Sequence, residues 1–132
     1  MLEKLGMLDS KPASTPMVLT EHLTALTGTP LAVPKDYRAA VGSLQYLILT
    51  RPDVAFAVNR LSQFMHCPTT AHWTALKRLL RYLSGTLDKG ITIYRDTSPI
   101  LYAFSDADWA GDRDDYTSTM GYVVVLGRTP IT

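Results

Sequence analysis

The spacing of apolar residues changes partway along this chain of 132 residues, and that change limits the possible folds more than any other feature. Between residues 36 and 83 apolar side chains recur every three or four positions, which is the period of an amphipathic helix. From residue 91 to residue 126 they tend to alternate, which is typical of strands. A run of helices followed by a run of strands predicts an α+β fold drawn from two parent domains.

Three helices are predicted in the first part of the chain, separated by residues that stop and restart a helix. The first spans residues 36–49. Pro52 starts a second helix that runs to about residue 65, because proline is tolerated in the first turn. The residues Pro68-Thr69-Thr70 stop the second helix and cap a third, which continues to about residue 83 and is ended by Ser84-Gly85-Thr86.

The segment that precedes these helices is predicted to be irregular. Residues 1–8 carry leucines three positions apart, which favours a short helical end. Residues 9–34 contain four of the eight prolines and many Ser and Thr residues, so they are interpreted as a linker. One weak helical turn is predicted within the linker, around Glu21–Leu26.

The strand-forming part contains three candidate strands. Residues 91–95 predict a short strand, and residues 100–108 predict a second. A polar loop is expected at residues 111–115, and the run of valines within residues 122–126 gives the clearest strand signal. A further strand of this set would begin near Thr132.

The distribution of charge follows the same division. The net charge is only +1, with 13 basic and 12 acidic side chains, which argues against a highly basic coat protein or an acidic tail. Residues 51–95, however, carry seven basic and two acidic side chains, whereas residues 96–132 carry two basic and six acidic ones. A block of +5 is therefore followed by a block of −4, and such asymmetry indicates interaction surfaces.

Both blocks contain side chains that could take part in chemistry. Asp106 and Asp108 would share one face of a strand, with three more aspartates in the following loop, and clustered carboxylates are ligands of Mg²⁺. The alternative is a solvated loop rich in turn-forming aspartate. Basic side chains on the helices could contact a phosphate backbone, the alternative being a solvated helix face. These side chains are Arg60, Lys77, Arg78 and Arg81.

Two other features exclude functions or compartments. His66, Cys67 and His72 lie close together in sequence, but they are too few for a zinc site and lack paired cysteine spacing. The single cysteine excludes an internal disulfide and favours an intracellular protein that is not secreted. No apolar run is long enough to span a membrane.

A series of motifs, taken in order along nearly the whole chain, resembles the Pol polyprotein of copia-type LTR retrotransposons. The motifs lie in both the helical and the strand-forming parts. They are Tyr37-Arg38, residues 41–47, Thr50-Arg51-Pro52-Asp53-Val54, residues 57–65, residues 77–83, residues 105–112 and Gly121-Tyr122. Tyr116-Thr117 and Met120 depart from the family pattern.

The resemblance implies a domain plan that spans the junction of reverse transcriptase and RNase H. Residues 1–34 would be the palm tail and a connector, and residues 35–88 the helical thumb or connection region of reverse transcriptase. Residues 89–98 would form a linker with a short strand. Residues 99–132 would be the N-terminal strands of an incomplete RNase H-like domain.

The resemblance also implies a site and partners. Asp106 would be the first RNase H metal ligand and a catalytic residue in an incomplete Mg²⁺ site, with Asp108 as a further candidate. The parent polyprotein would carry out RNA-directed DNA synthesis and hydrolysis of RNA–DNA hybrids. Its partners would be nucleic acid and the remainder of Pol. The palm aspartates would precede Met1 and further carboxylates would follow Thr132, so the isolated chain is expected to be inactive and to hold no stable Mg²⁺.

Two alternatives to a polymerase and nuclease fragment remain open. One is a non-enzymatic helical module that binds nucleic acid, which the +5 block favours. The other is a decayed relic of a transposable element.

Overall fold

A computed structural model describes residues 2–3, 5–18, 23–95, 98–111 and 116–131. The chain divides into two compact units, Met1–Lys89 and Gly90–Thr132, which we call the helical unit and the sheet unit. Together they combine helices with a small antiparallel sheet, so the predicted α+β class is confirmed. No helix among the described residues is both long enough and apolar enough to cross a membrane.

The helical unit contains the three predicted helices. Helix α1 spans Lys35–Leu47, α2 spans Ala55–Ser62 and α3 spans Thr70–Ser84. A single 3-10 turn, Pro52–Val54, leads into α2, and its proline lies in the first turn as predicted. Helix α2 ends about three residues earlier than its apolar pattern predicts, because residues 63–65 continue as a turn.

The predicted apolar stripes of the three helices meet in one core. Tyr37 is fully buried in it, and its hydroxyl donates a hydrogen bond to the Leu61 carbonyl at 2.8 Å. Burial in this apolar surrounding raises the pKa of the Tyr37 hydroxyl. The other fully buried apolar residues come from all three helices and the 3-10 turn: Val41, Leu44, Val54, Ala57, Val58, Leu61, Leu76 and Leu79.

The N-terminal residues form turns rather than the predicted short helix. Gly6 adopts a φ of +62°, a left-handed conformation that interrupts a right-handed helix. Its amide donates to the Glu3 carbonyl at 3.0 Å, which closes a turn. Of the helical turn predicted around Glu21–Leu26, residues 21–22 lie outside the described residues, and a turn is present at residues 25–26.

The sheet unit is a three-stranded antiparallel sheet in the order β1-β2-β3. Strand β1 spans Leu101–Ala107, β2 spans Met120–Leu126 and β3 spans Thr129–Pro130. Two predicted strands are thus confirmed, whereas the strand predicted at residues 91–95 is wrong, since those residues carry no regular structure. The final strand begins at Thr129 rather than near Thr132.

Both faces of this sheet are largely exposed. Tyr102 and Phe104 lie on one face beside Val125 and Val123, their partners on β2. Phe104 is 62% exposed, and every residue of β1 is exposed. The sheet unit therefore buries little apolar surface of its own.

Candidate nucleic-acid and metal sites

The predicted metal ligand Asp106 lies on β1, opposite Gly121 of β2. It shares a face with Tyr102 and Phe104, since residues two apart on a strand point to the same side. Its carboxylate is exposed and, within the described part of the sheet unit, has no hydrogen-bond or ion-pair partner. A carboxylate is a donor that Mg²⁺ prefers, so Asp106 suits the predicted ligand type.

Unlike the carboxylate of Asp106, that of Asp108 has a hydrogen-bond partner. Its carboxylate accepts a hydrogen bond from the Thr119 amide at 2.5 Å, and its own amide donates to the Thr119 carbonyl at 3.1 Å. These two bonds extend the β1–β2 pairing by one position at the end where the connecting loop begins. Asp108 therefore has a structural role that does not depend on a metal.

The described residues do not complete a metal site around Asp106. No group of three or more potential ligands comes together among them. The loop aspartates at positions 112, 114 and 115 lie outside the described residues. One available carboxylate does not fit the several ligands that a two-metal site requires.

Of the predicted phosphate contacts, Lys77 is the one with an exposed side chain on α3. Its ammonium lies 5.9 Å from the ring centroid of Trp73, one helical turn earlier. A cation at this distance from a tryptophan ring is electrostatically favoured. Both side chains lie on the same face of α3, where Lys77 presents an exposed positive charge and the ring of Trp73 is partly buried against the core.

Arg78 and Arg81 are held by the chain's own N-terminal residues. The guanidinium of Arg81 donates through Nε to the Lys11 carbonyl at 2.6 Å. The guanidinium of Arg78 donates through Nη2 to the Thr15 hydroxyl at 2.9 Å. Each guanidinium has five N–H donors, so these bonds occupy only part of its capacity.

Arg60 has its main contacts inside the helical unit. Its guanidinium donates to the Leu23 carbonyl at 2.6 Å and to the Gln63 side chain at 2.5 Å. It also lies 5.2 Å from the ring centroid of Phe64. These contacts give Arg60 a role in fixing the segment before α1, a role that the sequence pattern did not predict.

His72, which was considered for a zinc site and rejected, is a buried residue in the first turn of α3. Its Nδ1 accepts a hydrogen bond from the amide of Thr69, the residue that precedes α3, at 2.9 Å. The ring stacks on Phe64 with centroids 3.9 Å apart, and Nε2 lies 3.2 Å from the Thr24 carbonyl. Because Nδ1 accepts, the proton of the neutral ring is on Nε2, which donates to Thr24.

Replacing His72 with leucine is expected to lower the free energy of unfolding of the helical unit by about 2 kcal/mol, because it leaves the buried Thr69 amide without a partner and removes one of the two donors to the Thr24 carbonyl. Glutamine at the same position can still accept from the Thr69 amide, as in a capping box, and should lose about half as much. Urea unfolding followed by far-ultraviolet circular dichroism measures the free energy of unfolding of the two variants. Equal losses in the two variants would contradict the capping role.

A network around Arg51 is the largest polar cluster that sequence reasoning missed. Arg51 is 5% exposed, and its guanidinium forms a bidentate ion pair with the Asp53 carboxylate. The Nε–Oδ1 distance is 2.9 Å and the Nη2–Oδ2 distance is 2.8 Å. It also donates to the Thr86 carbonyl at 2.7 Å and to the Thr86 hydroxyl at 2.9 Å. The Tyr82 hydroxyl donates to the Asp53 carboxylate at 2.8 Å. The network fastens the 3-10 turn before α2 to the end of α3.

The electrostatic effect of this network falls on Asp53. Its hydrogen bonds from Arg51 lower the pKa of the carboxyl from 3.8 to about 2, against the opposing effect of burial, and the bond from Tyr82 adds to the lowering. The sequence pattern predicts only that Asp53 lies in the first turn of a helix, where a negative charge is favoured. The structure shows that its main partner is the guanidinium two residues earlier.

Comparison with known proteins relates both units to proteins of one type of transposable element. Two retrovirus-related Pol polyproteins of Arabidopsis thaliana, from transposons RE2 and RE1, are 57% and 55% identical to this chain over 131 residues, or 99% of its length. The matched length takes in the helices, the Arg51 network and the β1–β2 hairpin.

The chain belongs to the copia-type retrotransposon Pol family.

The two polyproteins are far longer than this chain, which spans 9% of each of them. A shorter relative, secreted RxLR effector protein 161 of Plasmopara viticola, is 50% identical over 91 residues. That match covers 68% of this chain and 64% of the effector. No family model matches the chain, and no solved structure matches it.

Proposed function

We propose that this copia-type Pol segment spans the junction of reverse transcriptase and RNase H. In this proposal residues 35–88 form the thumb or connection region that holds a primer–template duplex, and residues 99–132 open the RNase H domain. The division into a helical and a sheet unit between residues 89 and 90 supports such a junction. The identity to Pol polyproteins over 99% of the chain supports the same assignment.

The observation that carries the duplex-holding role is the exposed side chain of Lys77 on α3, beside the partly buried ring of Trp73. Phosphate contacts supply most of the affinity of a protein that binds nucleic acid without sequence preference. Lys77 is followed by Arg78, and Arg81 lies one turn later, so α3 places three cations on neighbouring positions of one helix. This density of positive charge suits the backbone of an RNA–DNA hybrid.

The RNase H part of the proposal rests on Asp106. Its exposed carboxylate on the first strand of the sheet would be one of several Mg²⁺ ligands in the parent enzyme, where the metal would assist hydrolysis of the RNA strand. The 132-residue chain by itself is proposed to bind a hybrid without cleaving it. Metal-dependent cleavage by the purified chain, lost in Asp106→Asn, would contradict this.

Lys77→Glu is expected to weaken binding of an RNA–DNA hybrid about tenfold at about 50 mM salt, because it removes one phosphate contact and adds a repelling charge. The slope of log affinity against log salt should also become shallower by about 1. Fluorescence anisotropy with a labelled hybrid measures both quantities.

Lys35→Glu is the matched control, since it makes the same charge change at an exposed position on α1. It should change the affinity far less than Lys77→Glu does. Equal losses in the two variants would mean that binding follows net charge rather than the α3 face. A lack of binding by the unmodified chain would overturn the duplex-holding role.

An intracellular location accompanies this function, because polymerase templates and substrates are found inside the cell. The relative named as a secreted effector makes the location worth testing directly. Fractionation of cells that express the chain, with immunodetection in the medium, separates the two locations. Recovery mainly from the medium would contradict the proposal.

A further inference from the structure

An irregular segment of the chain lies across the cationic face of α3. We call this segment, Lys11–Thr15, the strap. Besides the bonds from Arg81 and Arg78 described above, the Ala13 amide donates to the Arg81 carbonyl at 3.4 Å. Pro12 lies directly against Gly85, where an added Cβ would be only 2.6 Å from the Pro12 Cβ. The strap thus covers the two arginines that follow Lys77.

The strap is held by its three hydrogen bonds with Arg78 and Arg81, by the contact of Pro12 with Gly85, and by the packing of the partly buried Ala13 against the core. Proline has no amide hydrogen to donate, and prolines stand within the strap at position 12 and directly after it at position 16. The strap has no helix or strand hydrogen bonds, and Lys11, Pro12, Ser14 and Thr15 are exposed. A segment with few buried contacts and exposed hydrogen bonds opens at low free-energy cost.

The space beneath the residues that follow the strap is not tightly filled. A cavity of about 310 Å³ is lined by apolar side chains such as Met17 and Leu23, together with Lys77, Arg78 and Arg81. Arg78 Nε is buried there without a hydrogen-bond partner among the described residues. A buried donor without a partner is destabilising, so the closed strap leaves Arg78 incompletely satisfied.

We propose that the strap is a displaceable cover over Arg78 and Arg81, and that the phosphates of an RNA–DNA hybrid take the place of the Lys11 carbonyl and the Thr15 hydroxyl. The closed strap occupies one donor of each arginine with a neutral acceptor, whereas a phosphate offers each a charged one, and hydrogen bonds between ions are the stronger kind. The inference rests on the proposed duplex-holding role and adds a regulated step to it.

The test compares hybrid affinity in variants that loosen the strap. Pro12→Gly combined with Thr15→Ala removes the contact with Gly85 and the acceptor for Arg78. Since the apparent affinity is proportional to the fraction of chains in which the cover is open, raising that fraction should make this double variant bind the hybrid about five- to tenfold more tightly. Ser14→Ala, a change at an exposed position of the same segment, is the matched control and should leave the affinity unchanged.

A second comparison tests whether the gain comes from the uncovered arginines. Arg78→Gln with Arg81→Gln is introduced into the unmodified chain and into the loosened variant. If the strap competes with phosphate for these two side chains, the gain from loosening disappears when they are replaced. A gain that persists without the arginines would overturn the proposal.

The results separate the strap from the function on which it rests. Unchanged or weaker hybrid binding by the loosened variant, with Lys77→Glu still impairing binding, would overturn the cover and leave the duplex-holding role intact. Absence of binding by every variant would overturn both. Circular dichroism of each variant establishes that the helical content is retained before the affinities are compared.

Discussion

Replacing Arg51 with alanine is expected to lower the free energy of unfolding of the helical unit by about 2–3 kcal/mol. The change removes the ion pair with Asp53 and one of the two donors to the Thr86 carbonyl, the Lys89 amide being the other. Removing one partner of a buried charged pair is costly, although part of the Asp53 side chain reaches water and limits the loss. Urea unfolding followed by far-ultraviolet circular dichroism measures the change.

Arg38→Ala is the matched control for this prediction. Arg38 also donates to two carbonyl groups, those of Met65 and His66, but it is exposed. Its loss should therefore cost less than about 1 kcal/mol. Arg51→Lys should give an intermediate result, because lysine keeps the charge but cannot reproduce the two-pronged contact. Similar losses in Arg51→Ala and Arg38→Ala would contradict the importance of the buried network.

The same network gives the helical unit a dependence on pH with a definite sign. The pKa of Asp53 is lowered in the folded chain, so its stabilising effect is complete above 3.8 and is lost as the pH falls toward about 2. Other carboxylates titrate in the same range, so the informative quantity is the difference between the unmodified chain and Arg51→Ala. That difference should shrink as the pH falls from 4 to 2.

Amide hydrogens in the core of the helical unit are expected to exchange at least about 100-fold more slowly than those in the sheet unit. The helices bury a shared apolar core, with residues such as Leu44, Leu61 and Leu76 fully buried. The strands expose both faces, and a small sheet without a covered apolar face is weakly stable. Nuclear magnetic resonance detection of exchange at single amides gives the comparison within one sample.

The exchange experiment has an internal check. Within each unit, amides bonded in helices or strands should exchange more slowly than those in turns, so the comparison is made between α3 amides and β1–β2 ladder amides only. Equal protection of these two groups would show that the sheet unit is stabilised to the same extent as the helical unit. That result would contradict the expectation that buried apolar area sets the stability of each unit.

The sequence was most informative where local chemistry determines structure. Apolar periodicity predicted α1 and α3 closely, and the starts of the second and third helical segments were identified by Pro52 and by the group Pro68-Thr69-Thr70. The strand predicted at residues 91–95 failed because alternation alone does not supply a hydrogen-bonding partner. Ile93 is 81% exposed, and the described strands pair among themselves.

The candidate sites depended on contacts between residues that are distant in sequence, which a linear pattern does not reveal. Lys77 is exposed as a phosphate contact would need to be, but Arg60, Arg78 and Arg81 donate to groups contributed by residues 11–23. Their charge was evident from the sequence, whereas their acceptors were not. The Arg51 network could not be predicted for the same reason, since Arg51 and its acceptor Thr86 are 35 positions apart in sequence.

Gly85 has a role that its place at the end of α3 does not explain. Its φ is −85°, a value open to any residue, so the backbone there does not require glycine. The requirement comes instead from Pro12, 73 positions earlier, which occupies the space that a side chain would need. The two positions are therefore coupled: a side chain can be accepted at position 85 only if residue 12 has no Cβ or if its backbone moves away. Position 12, near the start of the helical unit, and position 85, near its end, therefore cannot change independently of each other.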